Sequence, residues 1–118
     1  MKRILHVVSR DHPFSNAYPS YLRIGNILYP SVDDYMDEKM PHDNILRIYM
    51  MEEAVMQKFK QNYELGAYLV STEYSHIITY PYDDDLHHEP TNPKGHTILG
   101  NILMNTRRYI APYHIYTP

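Results

Sequence analysis

The chain has 118 residues, of which 43% are apolar, and this length and composition suit one domain with a single core. Its 11 basic and 14 acidic residues give a net charge of -3 without a run of lysine or arginine, which argues against binding to duplex nucleic acid. The absence of cysteine excludes disulfides and thiolate metal sites, and the apolar part of MKRILHVV is too short for a signal peptide or a membrane span. We therefore expect a soluble cytoplasmic protein without membrane contacts.

The first quarter of the chain predicts short strands separated by turns. Residues 3–8 are β-branched and aliphatic enough for a strand, whereas residues 9–20, with prolines and small polar residues, predict a loop. Residues 21–29 predict a hairpin that turns at Gly25 and Asn26.

Two helices are predicted next. Ser31 and Asp34 have the spacing of a capping box, which predicts a helix that runs from Ser31 to about Met40. From Ile45 onward, apolar residues recur at helical spacing and predict a longer helix. The stripe that would face the core comprises Ile48, Met51, Val55, Phe59 and Tyr63.

The second half predicts a short helix at 63–70, a strand at 75–80 and a loop at 81–95 with three prolines and no apolar periodicity. A last helix is predicted to begin near His96 or Thr97, with the tail 111–118 extended or frayed. Its inner face would comprise Ile98, Leu99, Ile102 and Leu103. Strands and helices without regular alternation or a glycine-rich phosphate loop indicate an α+β fold.

Acidic residues cluster in the segment SVDDYMDEKM. The helix dipole stabilises acidic side chains in a first turn, which accounts for Asp34. Asp33 and Asp37 lie four residues apart on one helix face and repel each other unless a cationic or polarised group lies over them. Asp33 is therefore a candidate functional carboxylate.

Two loops contain further polar clusters. Ser15 and Asn16 either line a ligand site or close an Asx-type turn. The 81–95 loop contains Asp83, Asp84, His87, His88 and Glu89. The adjacent imidazoles would need a turn to converge on one ion, so this pattern favours a solvated acidic loop over a metal site.

Four segments occur in an order that is informative: FSNAYPS, YPSVDDYM, AVMQKFKQNYELGAYLVST and GHTILGNILMNTRRYI. In this order they resemble the blocks of the NADAR family, which is named for a predicted association with NAD and ADP-ribose metabolism. The corresponding family segments read FSNFYP, YPTVEHYFQ, KF-x-QN-x-x-L and G-K-N-x-LG-x-x-LM. The resemblance extends over nearly the whole chain.

The resemblance implies a single α+β domain over 1–118, in which a small β-sheet packs with about four helices. It implies hydrolysis of the N-glycosidic bond to ribose in a phosphorylated substrate, such as a riboflavin-pathway intermediate or ADP-ribose attached to guanine. Asp33 would be the catalytic acid, assisted by Asp84 or Glu89, and we expect neither a metal nor a cofactor. The implied substrate-binding residues are Phe14, Ser15, Asn16, Tyr35, Asp83, His87 and Thr97.

The chain also departs from the family pattern, because Asp34 replaces a histidine, Thr97 replaces an asparagine and no tryptophan occurs near Leu86. A second interpretation is a catalytically lapsed module that binds or sequesters ADP-ribose-like or cyclic nucleotides, or a partner protein. Carboxylates at two acidic positions of the family favour the enzyme, since a binder of anionic phosphates gains nothing from negative charge in its pocket.

Overall fold

The computed structural model describes residues 3–80 and 93–114, of which 93–97 are described as backbone only. The described residues form an α+β fold, as predicted, with two small sheets and four α-helices. In chain order the elements are β1 (Ile4–Val7), β2 (Leu22–Ile24), β3 (Ile27–Tyr29), α1 (Val32–Lys39), α2 (Asn44–Gln61), α3 (Tyr63–Ser71), β4 (His76–Thr79), α4 (Pro93–Ile110) and a 3₁₀ helix (Ala111–His114).

The two sheets have two strands each. β2 and β3 form the predicted antiparallel hairpin, and Gly25 occupies the turn with a φ of 64°, in the left-handed region that glycine adopts without strain. β1 and β4 pair in parallel, with Val7 opposite Thr79. The parallel pairing brings the carboxyl ends of β1 and β4 to the same edge, so the loop that follows β1 begins beside the end of β4.

The core lies between the sheets and the helices. Its fully buried side chains come from every part of the described chain, including Val7, Phe14, Leu22, Val32, Val55, Phe59, Leu69, Ile77, Leu103 and Ile110. α4 packs along β4, and α2 packs against α1, α3, α4 and β2. α2 is therefore the central helix of the fold.

The predicted N-cap at Ser31 is confirmed at the start of α1. The Ser31 Oγ accepts a hydrogen bond from the Asp34 backbone N–H at 3.1 Å and donates one to the Asp34 carboxylate at 2.8 Å. The helix ends at Lys39, because Met40 adopts a left-handed conformation with a φ of 42°.

The apolar stripe predicted for α2 is right only in its middle. Val55 and Phe59 are buried at 1% exposure, but Ile48 is 38% and Tyr63 is 55% exposed. The first two turns of α2 extend beyond the core, and Tyr63 belongs to α3, because the chain bends at Asn62. Helical periodicity identifies a face but does not show how much of its length is covered.

Two side-chain amides at the end of α2 form hydrogen bonds with the backbone of β2 and of the residue before it. The Gln61 side chain accepts a hydrogen bond from the Arg23 N–H at 2.6 Å and donates one to the Arg23 carbonyl at 2.8 Å. The Asn62 side chain donates to the Tyr21 carbonyl at 3.0 Å. The two amides thereby satisfy backbone groups that an edge strand otherwise leaves to solvent.

Three predictions for the C-terminal part are wrong in detail. α4 begins at Pro93, earlier than the predicted start at His96 or Thr97, because proline lacks only an N–H that the first turn of a helix leaves unpaired. On its inner face Ile102 and Leu103 are buried, whereas Ile98 is 38% exposed. The segment Ala111–His114, predicted as extended or frayed, is a 3₁₀ helix.

Gly100 allows α4 to approach β4, and this contact yields a prediction about stability. The Cβ of an alanine at position 100 would lie 3.1 Å from the Ile77 carbonyl carbon and closer still to its oxygen, so the helix and the strand would have to separate. We expect Gly100→Ala to lower the free energy of unfolding by about 1 to 3 kcal/mol. Denaturant unfolding measures this change. Alanine at the exposed neighbour Asn101 is the control, and an equal effect of both substitutions would contradict the steric account.

Candidate active site

The loop after β1 is a chain of tight turns. Hydrogen bonds join the His12 N–H to the Ser9 carbonyl at 3.1 Å, the Ser15 N–H to the His12 carbonyl at 2.8 Å and the Tyr18 N–H to the Ser15 carbonyl at 3.2 Å. Phe14 anchors the loop, because its ring is fully buried with its edge against Phe59 at a centroid distance of 5.8 Å. This backbone is held in one conformation by the core beneath it.

The Ser15 side chain takes part in a local turn, which is one of the two alternatives left open by the sequence. The Ser15 Oγ accepts a hydrogen bond from the Ala17 N–H at 3.0 Å, so the hydroxyl closes a local turn. The predicted contact of Ser15 with a ligand stays a prediction, as does that of Phe14, whose ring belongs to the core.

The start of α1 is joined to this loop at Asp33. The Asp33 N–H donates a hydrogen bond to the Asn16 carbonyl at 3.0 Å. An N–H in the first turn of a helix has no partner within the helix, so the loop provides one here. The Asp33 side chain is half-buried, whereas Asp34 and Asp37 are exposed. The main chain therefore places Asp33 next to Asn16.

Lys58 on α2 lies under the same turn. Its side chain is only 1% exposed, and its Nζ donates a hydrogen bond to the Ser15 carbonyl at 2.8 Å. Burial lowers the Lys58 pKa to about 7, and the Asp33 carboxylate opposes this shift by stabilising the ammonium. Lys58 is therefore a cationic partner for Asp33, of the kind that a pair of carboxylates at helical spacing requires.

The Asn16 side chain is the second buried polar group at this position. It is 6% exposed, and its Oδ1 has no hydrogen-bond partner among the residues that the structure describes. A buried amide oxygen without a donor is uncommon in folded proteins and is often found where a ligand or water binds.

His12 extends the site on its other side. Its Nδ1 accepts a hydrogen bond from the Phe14 N–H at 3.0 Å, so in the neutral ring the proton is on Nε2. Burial, followed by the charge of Lys58, lowers the His12 pKa. The ring lies parallel to Tyr68 with a centroid distance of 6.3 Å. His12 thus offers a neutral N–H donor and a flat surface near Lys58.

Tyr35 lies elsewhere on α1. It is 6% exposed, and its ring meets that of Tyr29 edge to face at 5.1 Å. Burial and then the charge of Glu53 raise the Tyr35 pKa. The Tyr29 hydroxyl donates to Glu38 at 2.7 Å, an interaction that raises the Tyr29 pKa to about 12. The predicted role of Tyr35 in ligand binding stays a prediction.

The remaining predicted site residues are described only in part or not at all. Thr97 lies on α4, where only its backbone is described. Asp83, Asp84, His87 and Glu89 lie outside the described residues. The chain reaches that segment from Tyr80, whose N–H donates to the Val7 carbonyl at 3.1 Å. Tyr80, the last described residue before the segment, therefore lies beside the end of β1, where the loop that contains His12 to Tyr18 begins.

Lys58 and His12 are not among the site residues predicted from the sequence. A signal for Lys58 was present, because position 58 follows Ala54 by four and Val55 by three residues and so lies on the buried face of α2. Lysine is rarely fully buried without a function or a partner, so a lysine on that face indicates a site. No comparable pattern in the sequence identifies His12.

Two further features bear on function. Within 3–80 and 93–114, no three histidine or acidic side chains are close enough to hold a metal ion. Over the same residues, no helix combines the length and the apolar character that crossing a bilayer requires.

Comparisons with known proteins identify the fold. No protein-family model matches the chain, and no curated protein matches its sequence. Among solved structures, the chain is similar to the NMR structure of the Escherichia coli protein YbiA, with a TM-score of 0.74 and 18% identity over 100% of this chain and 91% of that chain. YbiA is a NADAR-family protein. At this identity the similarity shows the fold alone, and that fold is NADAR-like.

Proposed function

We propose that the chain is an N-glycosidase that hydrolyses the bond between ribose and a nitrogen atom in a phosphorylated substrate. The observation that carries the proposal is the contact between the start of α1 and the Ser15–Asn16 turn. This contact brings together the Asp33 carboxylate, the buried Lys58 ammonium and the unpartnered Asn16 oxygen. The NADAR-like fold supports the choice of reaction, because members of that family are N-glycosidases.

Asp33 is assigned the central chemical role. As the bond from C1' to nitrogen breaks, positive charge develops on the ribose ring, and a carboxylate beside C1' stabilises that charge and orients the attacking water. Water adds its oxygen to C1', the electrons of the broken bond stay on the nitrogen, and a proton reaches the leaving base. The products are the free base and the ribosyl phosphate.

Lys58 is assigned a positioning role. Its Nζ is bonded to the Ser15 carbonyl, and its charge interacts with Asp33 across the turn. At 1% exposure the ammonium is screened from water, which strengthens its interaction with the carboxylate. We infer that Lys58 holds the turn and Asp33 in a fixed relative position before the substrate binds.

The loop residues complete the proposal. A carboxylic acid from Asp84 or Glu89 is proposed to protonate the departing nitrogen, as the second carboxyl group does in glycoside hydrolysis. Asp83, His87 and Thr97 are proposed to contact the substrate, and the neutral Nε2–H of His12 is a further donor for a phosphate oxygen.

The test is incubation of the purified protein with a panel of ribosylated compounds. The panel contains NAD, ADP-ribose, a ribosylamine phosphate of the riboflavin pathway and DNA that carries ADP-ribose on guanine. Mass spectrometry is expected to find a free base together with its ribosyl product for at least one member. If every member stays intact while one binds tightly, the enzyme assignment fails and a sequestering function replaces it.

A further inference from the structure

Besides the Ser15 hydroxyl, which accepts from the Ala17 N–H, the Ser15–Asn16 turn has three acceptor oxygens whose partners differ. The Ser15 carbonyl accepts from the Tyr18 N–H at 3.2 Å and the Lys58 Nζ at 2.8 Å, and the Asn16 carbonyl accepts from the Asp33 N–H at 3.0 Å. The Asn16 Oδ1 is buried and has no donor in the described part of the chain. The fold thus fixes the backbone of the turn and leaves one side-chain acceptor available.

An unpaired buried acceptor costs the free energy of its lost hydration, so the fold would not keep it without a use. The Asn16 residue retains 6% of its surface exposed, and rotation about the Cβ–Cγ bond of asparagine is soft. A small rotation therefore presents the oxygen at the exposed edge. The group that donates a hydrogen bond to this oxygen must be an uncharged or cationic donor. A deprotonated phosphate oxygen has no proton to donate, so it is excluded as a direct partner.

The neighbour of Asn16 indicates which donor this is. The Asn16 carbonyl is bonded to the Asp33 N–H, so Asn16 is adjacent to Asp33. In a ribose whose C1' faces the Asp33 carboxylate, the hydroxyl nearest to C1' is on C2', and the ring oxygen on the other side of C1' has no proton to donate. We propose that the Asn16 Oδ1 accepts a hydrogen bond from the 2'-hydroxyl of the bound ribosyl group, and that Asn16 thereby selects ribosyl over 2'-deoxyribosyl ligands. This inference rests on the proposed function, because it takes the position of C1' from it.

The expected effect is a difference in affinity that depends on Asn16. A site that is built to bond a hydroxyl group rejects the analogue that lacks it, since its own polar group is then left unpaired. We expect the wild type to bind ADP-ribose about tenfold to a hundredfold more tightly than an analogue without the 2'-hydroxyl on the terminal ribose. Asn16→Leu, which removes the acceptor at similar volume, should bind both ligands with nearly equal affinity. Asn16→Asp keeps an oxygen acceptor and should retain the preference.

The experiment is isothermal titration calorimetry of the wild type and the two Asn16 variants with both ligands, with the melting temperature of each protein measured alongside. Asn105→Leu, an exposed asparagine on α4, is the matched control and should behave as the wild type. Equal affinity of the wild type for both ligands, or a preference that survives in Asn16→Leu, would overturn the inference and leave the proposed function intact. Failure of the wild type to bind either ligand would overturn the inference, whereas the proposed function fails only if no member of the substrate panel is cleaved. If Asn16→Leu does not fold, Asn16→Ala removes the same acceptor and takes its place, and a preference that survives in Asn16→Ala would overturn the inference.

Discussion

Asp33→Asn is expected to reduce the turnover of the cleaved substrate by about 10²- to 10³-fold, the loss typical of removing one preorganised electrostatic group from an active site. Substrate affinity should stay the same or increase, because the substitution removes a negative charge near a phosphorylated ligand. The Asp33 N–H that bonds the Asn16 carbonyl belongs to the main chain, so the substitution leaves this contact in place. Steady-state kinetics for turnover and calorimetry for binding measure the two effects separately.

The matched control is Asp37→Asn, one helical turn further along α1. Asp37 is exposed, and the substitution makes the same change in charge and shape without affecting the Ser15–Asn16 turn. Its turnover should remain within a factor of about two of the wild type, since an exposed charge contributes little. An equal loss in both variants would show that net charge on the helix, and not a carboxylate at position 33, is what the reaction needs.

Lys58→Met is expected to reduce turnover and to change the stability in a way that depends on pH. Methionine fills a similar volume, and the Ser15 carbonyl keeps the Tyr18 N–H as a donor, so the fold should survive. Without the ammonium, Asp33 and the turn lose their common tether, and a displacement of about 1 Å reduces turnover up to about 10²-fold. Replacement of a buried charge by an apolar side chain is often neutral or stabilising, so turnover and stability should not fall together.

The sign of the pH effect follows from the lowered pKa. Lys58 has a pKa of about 7 in the folded chain and its ordinary value of 10.5 in the unfolded chain. Between these values the unfolded chain binds more protons at this position than the folded chain, so the stability of the wild type rises with pH in this window. It falls by the same amount as pH decreases from about 10.5 to about 7, and below about 7 this group causes no further change. Relative to Lys58→Met, the free energy of unfolding of the wild type should increase by about 1.4 kcal/mol per pH unit. Its turnover should decrease above pH 7, because the ammonium that pairs with Asp33 loses its proton.

Urea unfolding of both proteins from pH 7.5 to pH 9.5 measures this difference. This range lies above the lowered pKa of His12, which the charge of Lys58 influences, and the other groups that titrate within it cancel because both chains contain them. Lys60→Met, an exposed position two residues along α2, is the control and should follow the wild type at each pH. A difference between the wild type and Lys58→Met that is constant over the whole range would contradict a buried lysine that releases its proton near neutrality.

The local parts of the fold could be predicted from the sequence because their causes are local. Ser31 and Asp34 form their cap within four residues, and Gly25 permits the hairpin turn at its own position. The prediction places the start of α4 too late, because proline and glycine are common in loops. The first turns of a helix also accept these residues, and Pro93 and Gly95 lie there. The parallel pairing of Ile4 with His76 links positions too distant in the chain for any local pattern to reveal.

From the sequence, a residue of the candidate site can be predicted only where its type or its spacing to other polar residues is unusual. Asp33 stood out because a carboxylate four residues away needs a cation nearby. The spacing of Lys58 on the buried face of α2 marks it as unusual, but its contact with the loop depends on how α2 packs and could be identified only from the fold. Asn16 belongs to the FSNAYPS segment, which resembles the family pattern. Its side-chain oxygen has no donor among the described residues, and this follows from packing that a sequence pattern does not show.

The most direct test of the account is a mass balance for one incubation of the purified wild type, with Asp33→Asn purified and treated in the same way. The wild type should convert a phosphorylated substrate, in which ribose is bonded to a base through nitrogen, into equal amounts of free base and ribosyl phosphate. Asp33→Asn should produce neither product at a comparable rate. Intact substrate with the wild type, or equal product from both proteins, would contradict the assignment of an N-glycosidase centred on Asp33.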